Sequence, residues 1–171
     1  PIAANATYGP IGDWDVSRVT DLSMVFCADP DFAPEGSRCG EVDDWGLVGC
    51  DCDVACDAFN HPLASWDVSG ATSMQAMFLN VPFQNGQAFN QPLDAWDVSR
   101  VTTMQRMFAY ATAFNQPLTW DVSAVTNMWG MFSDARAFNQ PLDAWDVASV
   151  TLMGYTFNQA HAFNQPLDSW D

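Results

Sequence analysis

Residues 88–112 read AFNQPLDAWDVSRVTTMQRMFAYAT, residues 113–136 read AFNQPLTWDVSAVTNMWGMFSDAR, and residues 137–161 read AFNQPLDAWDVASVTLMGYTFNQAH. A fourth copy opens at Ala162 and reaches Asp171. Self-similarity at this period is the sequence signature of a stacked repeat protein. One such unit cannot bury its apolar face alone, but neighbours can bury it for one another.

Working outward, Trp falls at 14, 66, 96, 120, 145 and 170, with Trp45 between the first two. Phe pairs six residues apart (Phe26/Phe32, Phe108/Phe114, Phe132/Phe138, Phe157/Phe163) keep the same count. The chain therefore reads as a single domain over 1–171. It has a first repeat at 1–32, a degenerate Cys-rich repeat at 33–57 and regular repeats at 58–171. Extra residues at 81–86 read as a surface loop by their Pro, Asn and Gly. One residue is missing before Trp120, which predicts a local bend or bulge.

Within a unit, Leu93, Trp96 and Val98 have the L-x-x-L-x-L spacing of a leucine-rich-repeat strand. Met104, Met107, Phe108 and Ala111 follow at spacings of three and four, which predicts a short amphipathic helix. Thr102 with Gln105, and Thr72 with Gln75, would then be capping boxes. The expected fold is a right-handed, leucine-rich-repeat-like α/β solenoid of about six turns. A parallel β-sheet would line one face, and short helices or turns the other. Trp96, Trp120 and Trp145 would form one structural column, and Asn90, Asn115, Asn139 and Asn164 a ladder of amides bonding to adjacent turns. The Met and aromatic stripes read as core, not as a cofactor pocket.

The unit AFNQPLDAWDVSRVTTMQRMF closely resembles that of the BspA-like leucine-rich-repeat surface proteins, FNQ-x-L-x-x-W-x-x-S-x-V-T-x-M-x-x-MF. The resemblance is strong over 59–171, clear over 10–32, and lapses between 33 and 57. It implies secreted or surface-anchored proteins with suspected roles in attachment.

Net charge is −16, with five Arg and no Lys. Such a balance excludes a nucleic-acid partner, because phosphate contacts need basic side chains. It also disfavours anionic membrane surfaces, and no apolar run is long enough for membrane insertion. Cys27, Cys39, Cys50, Cys52 and Cys56 cluster in the irregular first third. They read as candidates for two disulfides with one thiol over, hence an oxidising compartment. Zinc is the rival reading. Asn5 opens a glycosylation sequon with Ala6 and Thr7. The expected location is extracellular or on the cell surface.

No nucleophile–base set recurs, and no phosphate-binding loop is present, so the chain is not expected to be an enzyme. His61 and His161 occupy turn positions. The residue after each repeat Trp is Asp (15, 67, 97, 121, 146, 171). Stacked about 4.8 Å apart, neighbouring carboxylates repel by roughly 1 kcal/mol in water and more beside a protein surface. Local hydrogen bonds to the following Ser are the favoured offset. Calcium held by Asp97, Asp121 and Asp146 is the other, and no further cofactor is implied. The leading expectation is a structural and adhesive surface protein, a subunit or segment of a filament. The strand-like GPIGDWDVS and PLDSWD at either end suggest head-to-tail self-association or continuation in a longer chain. The alternative is a monomeric module recognising a glycan or surface protein through Ala95, Asp97, Ser99 and their equivalents.

Overall fold

A single position in each repeat pairs one layer with the next. Asp21, Ser73, Thr103, Asn127 and Leu152 form successive parallel bridges, one residue wide. The structure, a computed structural model, describes residues 10–23, 25, 60–79 and 89–170, and the backbone of Glu41–Val42 and Val48–Gly49. Within these, five turns of chain stack in a column. The turn containing Asp21 lies directly against that containing Ser73. The five cysteines, Asn5, the Phe26/Phe32 pair and the 81–86 loop lie outside the described residues.

The sheet and helices expected of an α/β leucine-rich-repeat solenoid are not the fold. Regular structure among the described residues is one 3₁₀ turn, Ile11–Asp13, and an antiparallel pair of two-residue segments, Glu41–Val42 with Val48–Gly49. The reason is where the backbone donors go. At the expected strand, the Trp96 N–H turns back to the Leu93 carbonyl (3.1 Å) and the Val101 N–H to Val98 (2.9 Å). Pro92 has no N–H to give. These tight turns leave no run of amides free to pair along a neighbouring strand.

At the expected helix, the amides of Met104, Arg106, Phe108 and Tyr110 all donate to the next layer, at Asn127, Trp129, Met131 and Ser133 (2.8–2.9 Å). Those of Met107 and Ala111 fold back onto Met104 and Phe108 (3.0–3.1 Å). Arg106 (φ 53°) and Tyr110 (φ 59°) are left-handed, which no right-handed helix admits. Segments 104–107 and 108–111 are therefore two consecutive β-turns with positive φ at the third residue, the type II pattern. The same geometry recurs at Ala76, at Gly130 and Asp134, and at Tyr155 and Gln159. In such a turn the central peptide stands across the turn plane, so its N–H and C=O point along the stack. The bonds follow this: Ala76 N–H to Gln105, Arg106 to Trp129, Gly130 to Gly154, Tyr110 to Ser133, Asp134 to Asn158 (2.7–2.9 Å).

The capping boxes fall with the helix. The Thr102 N–H and Oγ1 both donate to the Thr72 carbonyl (2.8 and 3.1 Å), and Thr126 and Thr151 repeat this one layer on. The apolar spacing nevertheless marks the core: Met104, Met107, Phe108 and Ala111 are fully buried. Phe78, Phe108, Phe132 and Phe157 form one column with ring centroids 5.4–5.7 Å apart. Phe89, Phe114, Phe138 and Phe163 form a second at 6.0–6.1 Å. Within each layer the two columns touch at 4.1–4.2 Å. The residue missing before Trp120 removes a turn: the bond from the Trp N–H to Leu, present at Trp66, Trp96, Trp145 and Trp170, has no counterpart there. Trp120 still keeps its place in the column.

Candidate functional site

Three side-chain columns run through successive layers of the stack. Trp66, Trp96, Trp120, Trp145 and Trp170 lie 6.3–6.5 Å apart with nearly parallel rings. Each indole N–H from Trp96 onward donates to the Leu carbonyl of the preceding layer: Leu63, Leu93, Leu118 and Leu142 (2.9–3.0 Å). At the Leu–Trp segment, then, the side chain makes the bond between layers that a strand would make with its backbone.

In the second column the Asn90 Oδ1 accepts the Asn115 N–H (2.9 Å) and the Gln116 side-chain amide (3.0 Å). Asn115 receives Asn139 and Gln140, and Asn139 receives Asn164 and Gln165, in the same way. The third column is acidic. Asp97 and Asp121 each accept the backbone N–H (3.0–3.1 Å) and hydroxyl (2.6–2.7 Å) of the Ser two residues on, as do Asp15 and Asp67. Asp146 is followed by Ala148 and has only the backbone bond, 3.1 Å. The Ser hydroxyl bond, then the Ser amide bond, holds Asp15, Asp67, Asp97 and Asp121 below the usual carboxylate range. Repulsion from Asp121 opposes this at Asp97 and is the smaller effect. Asp97, Asp121 and Asp146 stand one to a layer on an exposed face. Among the described residues no group of three or more His, Cys, Asp or Glu side chains is gathered to hold a metal. Nor is any described helix long and apolar enough to cross a membrane. His61 and His161 are both exposed.

A fourth feature breaks the uniformity. In the first turn of the four layers from Ser73 onward the second residue is Gln75, Gln105, Trp129 or Gly154, and the third is Ala76, Arg106, Gly130 or Tyr155. The Arg106 guanidinium lies over the Trp129 ring, 4.6 Å from its centroid. Tyr155 meets the same indole edge to face at 5.4 Å. Two glycines make room for this cluster. A Cβ on Gly130 would come within 3.3 Å of Arg106 Cγ, and one on Gly154 within 3.1 Å of Trp129 Cδ1. The periodic reading passes over Trp129. The available signal was that it is the one Trp of the regular repeats not followed by Asp.

A family model described as "Mycoplasma protein of unknown function, DUF285" matches residues 3–43, 53–91 and 79–171. No curated protein and no solved structure matches. The matched stretches take in nearly the whole chain, including every layer of the stack, and the chain belongs to the DUF285 repeat family.

Proposed function

We propose that the protein is a structural and adhesive element of the cell surface whose column extends by adding further layers of the same kind. One observation carries the reading. Met74, Met104 and Met128 are fully buried in their column, whereas Met153 in the last layer is 36 % exposed. Leu152 beside it is 53 % exposed. Phe157 and Phe163 are only partly buried where Phe132 and Phe138 are sealed. This face has the chemistry that each inner layer uses to hold its neighbour. A further layer fits it, whether continued in the same chain or supplied by a second copy.

The extracellular setting is supported by the acidic, Lys-free composition and the clustered cysteines. Recognition through Ala95, Asp97 and Ser99 has less support, because Ser99 is spent on Asp97 and the same pair recurs in other layers. Negative-stain electron microscopy of native material, with its mass on a denaturing gel, tests the proposal. Filaments built from an 18.8 kDa band indicate stacked copies. Filaments with a much larger band indicate one continuous chain. Discrete particles that neither lengthen with concentration nor derive from a longer chain would sink it.

A further inference from the structure

The cluster of Arg106, Trp129 and Tyr155 is distinct from the stacking face in kind, being confined to one edge of three consecutive layers. We propose that it is a binding site for a neutral oligosaccharide lying along the stack. The proposal does not rest on end-to-end extension.

The first argument is construction. The Leu, Trp, Val, Met and Phe positions that fill the core repeat from layer to layer, and a repeating core needs nothing beyond them. Here Arg, Trp and Tyr, the residues that most often dominate binding energetics, replace one another at two adjacent positions. Gly130 and Gly154 in turn leave the space that the Arg106 stem and the Trp129 indole occupy.

The second argument is size. Three layers about 4.8 Å apart give a strip roughly 10 Å long between its outer members. A stable protein interface covers about 800 Å² on each partner, far more than this cluster offers. The strip suits a few sugar rings laid end to end. The Tyr155 ring, held by Trp129 and 61 % exposed, can take up the apolar C–H face of a pyranose. Amides flank them: Gln105 Oε1 accepts the Asn127 side-chain amide (3.0 Å), and Asn127 Oδ1 accepts the Trp129 N–H (3.0 Å).

The third argument is charge. The chain carries −16 overall, so a polyanionic glycan is repelled at long range. The one cation in the cluster lies over an indole. An uncharged glycan meets neither obstacle.

The test is isothermal titration of the full chain with four uncharged tetrasaccharides (cellotetraose, laminaritetraose, mannotetraose and chitotetraose) and with a heparin tetrasaccharide. At least one neutral tetrasaccharide should bind and quench indole fluorescence. Trp129→Ala and Tyr155→Ala should each weaken it tenfold or more, and Trp129→Phe less. Gly154→Ala, which keeps every cluster side chain but crowds the indole, should weaken it severalfold. Ser99→Ala on the acidic face should leave affinity unchanged, and thermal melts confirm that each variant is folded. Absence of binding by any neutral tetrasaccharide at millimolar concentration overturns the proposal. So does binding that folded Trp129→Phe, Gly154→Ala and Tyr155→Ala variants retain in full, or binding of the heparin fragment alone.

Discussion

Asn115 and Asn164 occupy the same place in the same AFNQPL motif, yet replacing them should have very different consequences. Asn115 Oδ1 accepts the Asn139 N–H at 2.9 Å and the Gln140 side-chain amide at 3.0 Å. Asn115→Ala strands both donors. Gln140 keeps a second acceptor in the Asn115 carbonyl, 3.0 Å away, so most of the loss falls on the Asn139 N–H. A backbone donor left without a partner away from water costs about 1–3 kcal/mol. Asn164 lies in the last layer. Its own N–H donates to Asn139 Oδ1, a bond that an alanine keeps. Asn164→Ala should therefore cost under about 0.5 kcal/mol, as surface substitutions do. In a chain of this size 1 kcal/mol corresponds to roughly 2–4 °C of melting temperature. Asn115→Ala should thus melt about 2–12 °C lower, and Asn164→Ala within about a degree or two of the parent. Differential scanning calorimetry of non-assembled protein measures both. Equal losses would refute the idea that the amide column works by accepting from the following layer. Under filament-forming conditions the gap should narrow, because an added layer would bring an amide to Asn164.

Trp120→Phe keeps an aromatic ring in the column but leaves the Leu93 carbonyl without its indole donor. It should cost about 1–3 kcal/mol by urea denaturation, and more than Trp170→Phe, whose site is only partly buried. The acidic column sets a pH dependence. Hydrogen bonds from Ser hold the Asp97 and Asp121 carboxyls below their ordinary range in the folded chain. Their stabilisation is full above the unfolded carboxyl value of about 3.9 and is lost as pH falls through the lower folded value. Melting temperature should therefore hold above about pH 5 and drop below about pH 4. In Ser99→Ala, carbon-detected NMR should show Asp97 titrating at higher pH while Asp121 is unmoved. Gly130→Ala places a Cβ at φ +63° and 3.3 Å from Arg106 Cγ. It should cost about 1 kcal/mol and displace the Arg106 side chain, visible as shifted Trp129 indole resonances.

The burial pattern was legible because the repeat states it several times over. Leu93, Trp96, Val98, Met104, Met107 and Phe108 recur at fixed offsets, and an apolar residue repeated in every unit has only the neighbouring units to bury it. The Asp–Ser pairing was equally local, since the two residues lie two apart and the side chain needs only its own turn to close the bond. Secondary structure was not legible. Spacings of three and four around Met104 fit a helical face and also fit two consecutive turns, because both bring those side chains to one side. Likewise L-x-x-W-x-V fits a strand face and also a turn followed by an extended step. The Arg106–Trp129–Tyr155 cluster escaped periodic reading for the opposite reason: its members are those that do not repeat.

The sequence by itself determined that the chain stacks like on like, which side chains fill the core, and that the carboxylates of Asp15, Asp67, Asp97, Asp121 and Asp146 find their partners within their own turns. All three depend on contacts that are either local or repeated. Only the tertiary structure decided where the backbone amides go. A Met104 or Arg106 N–H can close a helical turn or reach the next layer, and the residues around it permit both. The adjacent layer supplies the carbonyls of Asn127 and Trp129 at 2.9 Å. Once those bonds form, Arg106 takes left-handed backbone, and helix and sheet are both lost to a column of turns.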